Sequence, residues 1–155
     1  MLACVPRPFL FVLLAVALLA CGSPATASST AAPGGSLVVH DAWIRAANEG
    51  GLTAAYLTIV NGSATDDALV SVGAPHLAAS VSLHETTTGD DGMTGMHHAP
   101  SIAIPANGTV ALAPGGYHVM LEGLQRDLVA GETVQLALVF AQAGPVTVDA
   151  QVRAG

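Results

Sequence analysis

From residue 37 to residue 153 the chain is cut into short apolar runs by turn residues, and that punctuation leaves little room for anything but β-structure. The runs fall at 37–45, 53–61, 68–73, 80–86, 101–104, 109–113, 117–122, 133–141 and 146–153. Between them lie Asn48-Glu49-Gly50-Gly51, Asn61-Gly62-Ser63, Ala106-Asn107-Gly108, Pro114-Gly115-Gly116, Ala130-Gly131-Glu132 and Gly144-Pro145. Val134, Leu136, Leu138 and Phe140 alternate with Thr133, Gln135, Ala137 and Val139, the period of a half-buried strand. No stretch after the leader carries a helical period with caps. The pattern predicts an all-β fold, an antiparallel β-sandwich, filling one domain over 36–155.

The first 35 residues are of another kind. Arg7 precedes an uncharged apolar run over 9–20, which as a helix spans ~18 Å against the ~30 Å of a bilayer core. That length fits a signal peptide over 1–20. The run ends Leu18-Leu19-Ala20-Cys21-Gly22, which resembles a bacterial lipobox with Cys21 as the lipidated first residue. Ordinary cleavage after Ala20 or within 25–27 is the competing reading. Residues 21–35 then form a flexible tether of Gly, Ser, Ala, Thr and Pro. The chain is expected to be exported and held on the outer face of the cell envelope.

Charge and cysteine content remove several functions. Four cations, all Arg, stand against 11 acids, a formal charge of -7. A nucleic-acid binder needs a basic stripe, which this chain lacks. Cys4 and Cys21 are the only cysteines, so the domain has no disulfide, thiolate cluster or cysteine nucleophile. No Ser-His-Asp arrangement with a recognisable elbow is present, and the chain does not read as an enzyme.

Histidine and methionine carry what remains. After the leader the Met residues are Met93, Met96 and Met120, all in polar or His-containing surroundings. In 81–85 Val81 and Leu83 take one strand face, so His84 takes the other with Ser82. In 117–121 the apolar face is Tyr117, Val119 and Leu121, which sends His118 and Met120 outward together. The segment 89–98, with Met93, Met96, His97 and His98, reads as a Gly-rich loop able to fold over that face. Neutral thioether with imidazole suits Cu(I) better than Zn(II), Ca(II) or Mg(II). Solvated, unliganded histidines are the plain alternative. Trp43 reads as core, and His40 and His76 as solvated or satisfied in place.

The spacing of Met96 to His118-x-Met120, with 21 residues between Met96 and His118, resembles the motif of the exported copper chaperone family PCuAC. Asp41-Ala42-Trp43-Ile44-Arg45, Ala55-Tyr56-Leu57-Thr58-Ile59-Val60-Asn61, Leu83-His84-Glu85-Thr86 and Gly115-Gly116-Tyr117-His118-Val119-Met120-Leu121 match it as well. The resemblance spans roughly 38–142. It departs in one place: the 11 residues between His84 and Met96 are one more than the family's spacing. The resemblance implies a cupredoxin-like sandwich holding one Cu(I) per chain through His84, Met96, His118 and Met120. Met93, His97 and His98 stand as auxiliary candidates. It further implies delivery of copper to an acceptor, the CuA domain of cytochrome c oxidase or a partner chaperone. A copper-sequestering lipoprotein and a metal-free adhesion or scaffold sandwich are the other readings.

Overall fold

The computed structural model describes residues 37–89 and 92–154, and the leader, Cys21 and the tether lie outside the described residues. Ten strands and no helix occur among them: β1 Leu37–Arg45, β2 Leu52–Asn61, β3 Asp67–Gly73, β4 Ala78–Thr88, β5 Thr94–His98, β6 Ile102–Ile104, β7 Thr109–Leu112, β8 Tyr117–Leu124, β9 Thr133–Phe140 and β10 Gly144–Arg153. They join in one hydrogen-bonded path, β5-β4-β8-β2-β1-β10-β9-β3-β6, with β7 also paired to β2. Residues from both ends of that path, such as Leu83 of β4 and Leu69 of β3, belong to one buried cluster. The sheet therefore folds over itself as a β-sandwich.

The alternation read from the sequence decides which face is inside. Val134, Leu136, Leu138 and Phe140 of β9 are buried, as are Ala55, Leu57 and Ile59 of β2. Aliphatic side chains dominate the core, each worth roughly 1.5–3 kcal/mol when fully buried. Two polar side chains are drawn inside at strand ends. The Asn61 amide donates to the Thr65 and Pro105 carbonyls and accepts from the Ser63 N–H, tying the β2–β3 turn to the loop after β6. Thr53 donates to the Arg45 carbonyl at 2.7 Å.

Three expectations change. The segment 89–98 is a loop only at its start; Thr94–His98 is a strand paired antiparallel to β4. Its Gly content hid a period of two, and Gly92 at φ 74° makes the tight turn that returns the chain. The sheet is also not wholly antiparallel, because β1 and β10 pair in parallel. Trp43 is half-buried on the outer face, not in the core, since a bulge between His40 and Trp43, with Asp41 at φ 54°, resets the facing of β1.

Candidate metal centre

The outer face of β5, β4, β8 and β2 gathers His84, His98, His118, Met96 and Met120. His84 on β4 stands directly opposite His118 on β8, and His98 on β5 stands opposite His84 from the other side. The ring centroids of His84 lie 5.8 Å from those of both neighbours. Met120, two residues along β8, faces Ser82 of β4 and Ala54 of β2. Met96 lies opposite Thr86 on β5 and sends its sulfur across β4, to 3.2 Å from the Nε2 of His118.

Strand pairing explains that reach. The Ala99 N–H donates to the Leu83 carbonyl and the Gly89 N–H to the Met93 carbonyl, which makes 85/97 and 87/95 the hydrogen-bonded pairs between them. The pairs 84/98 and 86/96 are then the closer, non-hydrogen-bonded kind, with side chains crowded together on one face. Alternation places His97 on the opposite face with Glu85 and Gly95, whose missing Cβ would lie 3.1 Å from the His97 ring. Met93 lies in the turn before β5 and is largely exposed.

His118 is not the shallow residue the alternation suggests. It points outward and is still only 5% exposed. Met96 lies at its Nε2, and the Tyr56 ring lies beside it at 6.5 Å. Nδ1 of His118 is 3.0 Å from the Gly116 carbonyl, which can only accept, so Nδ1 bears the proton in the neutral ring. The Nε2 lone pair then faces a thioether sulfur that also offers lone pairs. Two donor atoms at this separation have no proton between them, an arrangement that a soft cation completes.

His84 adds a second demand. Its Nε2 pairs with the Ser82 hydroxyl at 3.1 Å, while its buried Nδ1 has no hydrogen-bond partner. A buried nitrogen without a partner costs about 1–3 kcal/mol. Burial lowers the His84 pKa first, the neighbouring His118 and His98 rings lower it further, and Glu122 opposes them. The ring is thereby kept neutral and able to donate a lone pair. Among the described residues no three His, Cys, Asp or Glu side chains are grouped to hold a metal by themselves. The Met96 sulfur lies beside the imidazoles, and a set of imidazole and thioether fits Cu(I).

Tyr56 was not singled out in the sequence. Its position between the buried Ala55 and Leu57 puts it on the outer face, but only the β2–β8 register brings it to His118.

The chain is similar to known proteins over most of its length. Residues 37–152 match the family described as "Putative lipoprotein LpqE-like". The chain is 38% identical over 118 residues to "Putative lipoprotein Lxx21020" of Leifsonia xyli subsp. xyli, covering 76% of this chain and 69% of that protein. The copper-bound PCuAC domain from PmoF2 superposes with a TM-score of 0.67 at 29% identity, over 83% of this chain and 100% of that one. The solution structure of CuI-DR1885 from Deinococcus radiodurans does so with a TM-score of 0.57 at 38% identity, over 74% and 78%. The chain belongs to the LpqE-like family and is built on the PCuAC domain.

Proposed function

We propose that this protein is a copper chaperone of the cell envelope that carries one Cu(I) per chain on the outer face of β5, β4 and β8. The observation that carries the reading is the facing of His118 Nε2 and Met96 sulfur at 3.2 Å, beside the unpartnered His84 Nδ1. His84, Met96, His118 and Met120 are the proposed ligands, with His98 the auxiliary nitrogen nearest them. His97 faces away, and Met93 sits on the turn as an alternate sulfur during handover. The PmoF2 domain and DR1885 support copper as the cargo, being copper-bound and CuI-bound respectively.

The division of ligands suits a carrier. His84 and His118 are fixed by long central strands, whereas Met96 belongs to a five-residue strand at the end of the sheet path and is 55% exposed. A neutral thioether leaves a metal without taking up a proton, so an acceptor thiolate or imidazole replaces it stepwise. The family lipoprotein names support a membrane-anchored chain with Cys21 as the anchor. The proposed acceptor is the CuA domain of cytochrome c oxidase or a chaperone that serves it.

The test is anaerobic Cu(I) titration of the mature chain against a chelator, followed by mixing with apo CuA domain. One tightly held Cu(I) that passes to the CuA domain is the expected result. Tight binding without transfer would make the protein a sequestering one. No competition with the chelator would remove copper from the account.

A further inference from the structure

A row of rings runs from the proposed copper site across the sheet to two arginines. His118 lies 6.5 Å from Tyr56, Tyr56 lies 4.6 Å from Trp43, and the Arg153 guanidinium lies 5.6 Å over the Trp43 ring. Arg45 pairs with Arg153 across β1 and β10, on the face that also carries Trp43. After the leader the chain has three cations, Arg45, Arg126 and Arg153, and no Lys. Arg126 is spent on Glu132, which it holds through both carboxylate oxygens at 3.0 and 2.9 Å. Arg45 and Arg153 are exposed, and among the described residues neither has a carboxylate in ion-pair range.

Like charges facing each other between strands destabilise a sheet. Here the pair sits beside the candidate metal site in a chain of net charge -7. Three carboxylates border the face: Glu122 at the Met120 end of β8, Asp149 further along β10, which accepts from Gln135, and Asp41 at the β1 bulge, held by the His40 ring at 2.8 Å. None lies between the two Arg in the strand register.

We infer that Arg45, Arg153, Trp43 and Tyr56 form the docking surface for the copper acceptor, and that the acceptor presents acidic residues around its own metal site. This rests on the chaperone reading above. Everywhere else the carrier's negative charge repels an acidic partner, so the Arg pair sets one orientation, with the row of rings leading from it to His118. Trp, Tyr and Arg are also the side chains that most often concentrate binding energy at interfaces. An anionic membrane is the less suited occupant, because the row of rings joins this patch to the copper ligands, where an acceptor takes up copper and a lipid surface does not.

The experiment uses the Cu(I)-loaded chain and the R45Q/R153Q double variant. Transfer to apo CuA domain is timed at low and high salt, with chelator competition for Cu(I) affinity and sedimentation with phosphatidylglycerol vesicles alongside. The expected result is wild-type transfer that slows as salt rises, and a variant about tenfold slower at low salt with a flatter salt response and unchanged Cu(I) affinity. Equal rates and slopes in the two proteins would overturn the docking surface and leave the chaperone reading standing. A wild-type rate indifferent to salt would overturn it as well, whatever the variant does. Loss of vesicle binding at unchanged transfer would assign the patch to the membrane instead. Bound Cu(I) that the wild type does not pass on would strike the delivery reading itself, and this inference with it.

Discussion

At the scale of single residues, one sulfur and two imidazoles form the centre of the proposed site. Met96 and Met93 sit three positions apart in a Gly-rich stretch, but only Met96 has its sulfur at His118. Met96→Leu is expected to lower Cu(I) affinity by on the order of 100-fold, and Met93→Leu by only a few-fold, in chelator competition. The reverse ranking would redraw the ligand set. His84 gives a pH signature in the apo protein. Its pKa is depressed by burial and by His118 and His98, while the unfolded chain takes up that proton at about 6.5. Stability associated with this ring is therefore complete above about pH 6.5 and is lost as pH falls from there through the folded pKa. Thermal melts of the apo protein should decline across that window, and His84→Gln should flatten the decline. An unchanged slope in the variant would contradict the assignment.

At the scale of elements, β5 decides whether the site is complete. Among the described residues it pairs with β4 alone, and the alternation of its ladder points the Met96 and His98 N–H groups away from β4 and the His97 N–H to β4. His97→Pro should therefore loosen β5 and weaken Cu(I) binding nearly as much as Met96→Leu does, although it alters no proposed ligand. Hydrogen exchange at 94–98 would report the loosening. Binding left at wild-type strength would mean that Met96 needs no strand to hold it. Most strands, their facing and the outward pair of His118 and Met120 were legible from alternation alone, because burial on one face enforces a period of two. Three things were not. The short β5 looked like a loop because the ten residues 89–98 include three Gly, at 89, 92 and 95, which mask the period. Trp43 looked like core because a bulge is invisible in composition. The depth of His118 depends on Tyr56 and Met96, which reach it through pairing registers that one sequence does not contain.

At the scale of the whole molecule, the proposed anchor and the proposed copper site are expected to act separately. Cys21 lies outside the described residues, before a stretch of Gly, Ser, Ala, Thr and Pro, and the proposed ligands lie on β4, β5 and β8, more than 60 residues further along the chain. Cys21→Ser is expected to move the protein from the membrane to the soluble fraction with Cu(I) affinity unchanged, because distant sites act independently. A variant that remains in the membrane fraction would show that Cys21 is not the anchor. Residues 37–155 contain no cysteine, so the proposed copper site is built from imidazole and thioether alone. X-ray absorption of the mature chain loaded anaerobically with one equivalent of Cu(I) tests it most directly. The account predicts a single copper with both nitrogen and sulfur neighbours, and with sulfur lost in part when Met96 is replaced by Leu. A shell of nitrogen and oxygen alone would contradict it.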